Sequence, residues 1–197
     1  MDEIVRQALA KWPNVPDCYG WLALDARGAF RMRDAAAQAA NSPGEVIRHP
    51  ALLSFIYRNY ECDSNGAWYF QNGPQRVFVQ LAQTPFIART DPLHGFITHD
   101  SAPLGRFEQV YFTHEGRLIL RAGKRIAMVD DRDLAECLHL LHLDDAPADD
   151  AKLLAWLEHD QGQLQFRQNE NWLVVERLHT QQLGAALGFD PNPQPKT

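Results

Sequence analysis

The chain has 197 residues, of which 45% are apolar and 22% charged, and its formal net charge is −6. Five Trp, five Tyr and ten Phe with this apolar content exclude an intrinsically disordered chain. No run of about 18 uncharged apolar residues occurs, so no membrane span is predicted, and the acidic balance argues against a general nucleic-acid binder.

Short helices and β-hairpins alternate in the first hundred residues. Asp2 can cap a helix that ends before Pro13, because the residue preceding a proline avoids helical geometry. Pro50 suits the first turn of a helix reaching about Glu61, whose apolar residues recur every three or four positions. Strands bounded by turn residues are predicted at 19–24, 29–32, 67–71, 75–81, 86–89 and 93–98.

The remainder of the chain begins with strands and then becomes more helical. Asp133 and Glu136 form a capping-box pattern, which predicts a helix through about Leu143. Thr180 can cap a last helix that Gly188 ends. The other predicted elements are strands at 107–113, 118–121 and 125–129, a helix at 151–159, and a hairpin at 163–168 and 172–178.

Short strands at regular spacing favour antiparallel meanders over a parallel sheet. The sequence therefore predicts an α+β fold, with antiparallel sheets and flanking short helices. We expect two small subdomains, at residues 1–103 and 104–190, and an extended proline-containing tail at 191–197.

Five segments between residues 20 and 88 form an ordered set. They read GWLALDARGAF, GEVIRHPALLSFIYRNYE, DSNGAWYF, NGPQRVFVQL and TPFIA. This order resembles small proteobacterial proteins that are classified as domains of unknown function. The resemblance implies a bacterial, soluble α+β protein with a paired-domain layout, and it carries no activity.

The densest cluster of polar and aromatic side chains lies between residues 48 and 76. Two guanidinium groups beside an aromatic face suit a small carboxylate or phosphate with a planar part. The alternative is that Arg48 pairs with Glu45 or Glu61 while the aromatic residues belong to the core. The candidate ligand-binding residues are Arg48, His49, Tyr60, Trp68, Gln75 and Arg76.

A second possibility is a metal site on His139, His142 and Asp144. The two histidines are three residues apart on the predicted helix, and imidazole with carboxylate suits zinc or iron. No established metal spacing such as His-Glu-x-x-His is present, however, and the histidines can equally be partly exposed residues beside an apolar stripe. The sequence also has no Gly-x-Ser-x-Gly nucleophile motif and no phosphate-binding glycine pattern, so no cofactor is predicted.

Two functions therefore stay open. The first is a non-catalytic module that binds a small anionic or aromatic ligand, or a partner protein. The alternative is a metal-assisted hydrolase that uses the histidines and aspartates. We favour the first, with no nucleic-acid or membrane partner, and unpaired edge strands leave a homodimer open. Three isolated cysteines and an acidic N-terminus predict a cytoplasmic location.

Overall fold

The computed structural model describes residues 1–159 and 161–195. The chain divides into two compact units, of which the first comprises Met1–Pro85 with Gly184–Thr197 and the second Phe86–Leu183. The predicted boundary at residues 103 and 104 falls inside the second unit. Both units combine short helices with a β-sheet, which confirms the α+β class.

The first unit carries a six-stranded sheet, the helices α1 to α3, and all but the first residue of α6 (Leu183–Leu187). The strand order is β3-β2-β1-β6-β5-β4, and every neighbouring pair is antiparallel except β1 with β6. The elements are α1 (Glu3–Lys11), β1 (Cys18–Leu24), β2 (Phe30–Met32), α2 (Ala35–Ala39), β3 (Glu45–Val46), α3 (Pro50–Arg58), β4 (Tyr60–Cys62), β5 (Trp68–Asn72) and β6 (Gln75–Leu81).

Apolar residues alternate with other residues along the strands, and this gives the sheet one strongly apolar face. Leu22, Leu24 and Phe30 are at most 4% exposed, and α3 packs on the same face, where the Phe55 and Phe70 rings meet edge to face at 5.4 Å. The opposite face carries the side chains of β1, β2 and β6 that lie between these apolar positions.

The chain returns to the first unit near its C-terminus. The backbone N–H of Asp190 donates to Gly66 (2.9 Å), and the N–H of Leu81 donates to Pro191 (2.8 Å). Gly66 has φ +84°, and a Cβ there would lie 2.5 Å from the carbonyl oxygen of Gly188, so this approach requires glycine. Part of the predicted tail is thus hydrogen-bonded to the sheet, while residues 196 and 197 lie outside the described residues.

The second unit carries a nine-stranded sheet. Its order is β13-β12-β14-β15-β9-β10-β11-β7-β8, in which β11 with β7 and β15 with β9 are parallel and the hairpins are antiparallel. Both sheets are therefore mixed rather than simple meanders. The elements are β7 (Phe86–Asp91), β8 (Gly95–Thr98), β9 (Gln109–Thr113), β10 (Leu118–Ala122), β11 (Arg125–Val129), α4 (Leu134–Cys137), β12 (Leu141–Leu143), β13 (Ala146–Pro147), α5 (Asp150–His159), β14 (Leu164–Gln168) and β15 (Asn171–Leu178).

The helix predicted to run through Leu143 is much shorter in the structure. It ends at Cys137, continues as one 3₁₀ turn, and gives way to β12, because Leu141 is fully buried opposite Phe166 of β14. The predicted capping box is also absent: the Asp133 carboxylate makes no cap bond and instead accepts from the Arg89 guanidinium and the Thr90 N–H. Sheet pairing thus overrides the local helical pattern.

No helix in the described part of the chain is long and apolar enough to cross a membrane.

Candidate functional site

Two of the predicted ligand-binding residues, Trp68 and Tyr60, pack against each other in the first unit. Trp68 is 6% exposed, and its ring lies 4.8 Å from that of Tyr60. The Tyr60 hydroxyl donates to the carbonyl oxygen of Pro85 (3.1 Å). These contacts give both aromatic residues a packing role.

Arg76 lies on the other face of the same sheet. It is in register with Gln71, and its guanidinium lies 4.9 Å from the centre of the Tyr69 ring. The hollow of about 620 Å³ that it borders is also lined by Asp17 and Asp63. Two carboxylates beside one guanidinium do not favour an anionic ligand.

The remaining predicted residues are separate from this hollow. Arg48 and His49 are exposed at the start of α3, where the His49 Nδ1 accepts from the Leu52 N–H (3.4 Å). Gln75 donates to the carbonyl oxygen of Pro16 (3.0 Å). The six residues are therefore spread over both faces of the sheet and do not line one cavity.

The structure also separates the residues of the predicted metal site. His139 lies on the 3₁₀ turn, while His142 lies on β12 with its ring 4.5 Å from that of Trp172. Asp144 accepts from the Gln163 N–H (2.8 Å). Within residues 1–159 and 161–195, no group of three or more His, Cys, Asp or Glu side chains is arranged to hold a metal ion.

A concave site with a volume of about 550 Å³ lies in the second unit. It is bordered by the β7–β8 turn, by the segment at 105–107 and by the β14–β15 turn. We call it the phenylalanine cleft, after the lining residues Phe96, Phe107 and Phe166.

The three phenyl rings form one packed cluster. Phe107 and Phe166 are 1–2% exposed and meet edge to face at 5.7 Å, while Phe96 lies 6.0 Å from Phe107 and 6.4 Å from Phe166. Side chains along β14 point alternately to the two faces of the sheet, and Leu164 and Phe166 occupy its buried positions. This alternation places Phe166 in the cluster. The inner wall of the cleft is therefore apolar and rigid.

Side-chain hydrogen bonds fix the loops at the rim. Asp91 accepts from the N–H groups of Leu93 (3.0 Å) and His94 (2.8 Å), which holds the β7–β8 turn. The Gln168 amide lies against Phe107: oriented to match donors with acceptors, its nitrogen donates to the carbonyl oxygen (3.0 Å) and its oxygen accepts from the N–H (3.2 Å). The Gln168 bonds position the backbone directly after Arg106.

The polar part of the cleft is cationic or neutral. Arg106 and His94 are exposed at its mouth, and none of its lining residues in the described part of the chain is Asp or Glu. Arg106 makes no ion pair within 4 Å with any described residue. Arg167 is also at the rim, with its guanidinium 6.0 Å from the Trp172 ring centre. No local sequence pattern marks this site, because its walls come from three loops that are far apart in sequence.

A second hollow of about 620 Å³ shares Pro92, Gly95, Phe96 and Leu140 with the cleft and is also lined by Asp133. Burial alone would raise the pKa of this carboxyl, but hydrogen bonds from Arg89 and Thr90 outweigh burial, so the pKa is lowered. The carboxylate is thus ionised and held in place. It joins α4 to β7 rather than offering an acid–base group.

Comparison with known proteins gives a family and a fold. The DUF2944 family model, whose description reads "Protein of unknown function (DUF2946)", matches residues 1–194. The crystal structure of a DUF1285 family protein from Silicibacter pomeroyi DSS-3 aligns with a TM-score of 0.51 at 13% identity, over 93% of this chain and 98% of that chain. At this identity the likeness concerns the fold alone. No curated protein matches the chain. These findings confirm the resemblance to uncharacterised domains, and the chain belongs to the DUF2944 family.

Proposed function

We propose that this protein is a binding module for a small organic anion with an aromatic or other apolar body, and that the anion binds in the phenylalanine cleft. The observation that carries the proposal is the combination of three buried phenyl rings with Arg106 and His94 in a cavity that no described Asp or Glu lines. A volume of about 550 Å³ is in the usual range for small-molecule sites.

The two parts of such a ligand would be bound by different forces. A carboxylate can accept two parallel hydrogen bonds from Arg106, which makes no ion pair within 4 Å with a described residue. A phenyl-sized body that buries about 150 Å² gains roughly 4 kcal/mol at about 25 cal/mol per Å². After the cost of association, we expect affinities between micromolar and millimolar.

Isothermal titration calorimetry with three probes tests the proposal. Phenylacetate carries both parts of the ligand, phenylacetamide lacks the charge, and acetate lacks the ring. We expect phenylacetate to bind most tightly, because only this probe uses both Arg106 and the phenyl rings.

The substitution Arg106→Gln should weaken phenylacetate binding by about ten- to hundredfold, as expected for the loss of a charged hydrogen-bond donor. Lys124→Gln is the matched control: it removes the same charge from an exposed turn of the same unit that does not line the cleft. Equal affinities for phenylacetate and phenylacetamide, or no effect of Arg106→Gln, would refute the proposal.

A further inference from the structure

A second site is indicated by Arg33 in the first unit. Its side chain is buried, at 6% exposure. The guanidinium donates to the carbonyl oxygen of Ser42 (3.0 Å), to Oδ1 of Asn41 (3.3 Å) and to Oε1 of Gln80. All three acceptors are neutral, so this buried positive charge has no anionic partner among them.

Nearby carboxylates are already engaged elsewhere. Asp34 accepts from the Ala37 N–H (2.7 Å) as the N-cap of α2. Asp25 lines the same cavity as Arg33, but it pairs with Arg31 at 2.7 Å and accepts from backbone N–H groups in the β1–β2 turn. No ion pair of Arg33 within 4 Å occurs in the part of the chain that the structure describes. A buried ion without a counter-charge is unfavourable.

The guanidinium also has unused donors. A guanidinium has five N–H groups, and Arg33 uses three of them in hydrogen bonds to described residues. Two N–H groups therefore stay available for an acceptor. A planar carboxylate is the acceptor whose geometry matches two donors of one guanidinium.

A cavity of about 260 Å³ adjoins Arg33. Strand register explains why it exists: Ala23 pairs with Arg31 on one side and with Gln80 on the other. The small methyl group of Ala23 lies between these longer side chains and leaves space above the sheet. Pro43 and Ala82 also line the cavity and, with Ala23, supply its apolar surface.

We propose that Arg33 binds the carboxylate of a short-chain aliphatic acid, whose apolar tail lies in the cavity beside Ala23. This site shares no residue with the phenylalanine cleft and goes beyond the function proposed for it. The volume suits a few carbon atoms, since it equals roughly nine water volumes of about 30 Å³ each.

Arg33 also has a structural role, because its three bonds tie the loop at 41–44 to β6. A substitution at Arg33 can therefore disturb folding as well as binding. Ala23→Leu separates the two roles: it fills the cavity, and it leaves Arg33 and its three acceptors unchanged.

The test is a titration of the full chain with butyrate, followed by ¹H–¹⁵N NMR shifts and by calorimetry. We expect saturable binding to wild type, with shifts in the side-chain amides of Asn41 and Gln80 and in the Ser42 N–H. Ala23→Leu should abolish these shifts, and Arg33→Met should weaken binding by about ten- to hundredfold.

Phenylacetate binding to Ala23→Leu is the control: it measures ligand binding in the phenylalanine cleft, which this substitution does not touch. The proposal is overturned if butyrate does not saturate, if it binds Ala23→Leu as well as wild type, or if it leaves the Asn41 and Gln80 amides unshifted. Tighter binding of inorganic phosphate than of butyrate would overturn the carboxylate assignment. Should both variants fail to fold, the wild-type shifts still decide between these outcomes.

Discussion

The aromatic cluster makes Phe166→Ala the most informative change to the stability of the second unit. The side chain is 1% exposed and packs edge to face on Phe107 at 5.7 Å and obliquely on Phe96 at 6.4 Å. Truncating a buried phenylalanine costs about 3–5 kcal/mol. Two lost ring pairs, each contributing roughly 0.5–1.5 kcal/mol beyond area, place this substitution in the upper half of that range.

The assay is a urea titration read by hydrogen–deuterium exchange of peptides from residues 107–129. This readout follows the second unit separately from the first. If the slope of the unfolding free energy against urea concentration is unchanged, the shift in midpoint converts directly into a difference in unfolding free energy. Leu93→Ala is the control within the same cleft, because Leu93 is 81% exposed, and its loss should change stability by no more than about 0.5 kcal/mol. A loss below about 1 kcal/mol for Phe166→Ala would refute the packed cluster.

Three further outcomes are expected. Asp133→Asn should lower the free energy of unfolding by about 1–3 kcal/mol near neutral pH. Because the pKa of Asp133 is lowered in the folded protein, the stability difference between wild type and variant should shrink as the pH falls below about 3.9, the pKa of an aspartate in the unfolded chain. Unfolding curves recorded at several acidic pH values measure this difference. In thermal melts, Gly44→Ala should destabilise more than Gly73→Ala, since both have positive φ but only the former places a Cβ against the backbone of β2. Burial raises the pKa of Cys137 to about 12, so iodoacetamide at pH 8 should label it only in urea.

Several elements were predictable because their signals are local. Pro50 occupies the first turn of α3, as expected from its fixed φ. The β5–β6 hairpin turns at Gly73 and Pro74, between the two strands predicted there, and Gly73 has φ +58°. Short-range turn chemistry and strand alternation therefore predicted the hairpins of both units.

Non-local pairing was not predictable in the same way. Nothing within 138–143 distinguishes a helix from the 3₁₀ turn and strand that form there, since the decision depends on pairing with β14. The parallel pairs such as Val110 with Val175 join segments far apart in sequence. Local pattern carries no information on such partners.

The candidate sites show the same contrast between what local sequence patterns predict and what depends on tertiary packing. The sequence grouped Arg48 and Arg76 with nearby aromatic residues as one candidate ligand site, and the structure does not bring these residues together around one cavity. Strand alternation puts Arg76 and Trp68 on opposite faces of the sheet. The burial of Arg33, and the approach of three loops around Arg106, depend on tertiary packing that no sequence motif encodes.

The most direct test of the central claim is anomalous diffraction from crystals soaked in para-iodobenzoate, whose iodine locates the ring. The account predicts an iodine peak in the phenylalanine cleft, against Phe107 and Phe166, with the carboxylate directed to Arg106. Iodine sites that all lie elsewhere on the protein would contradict it.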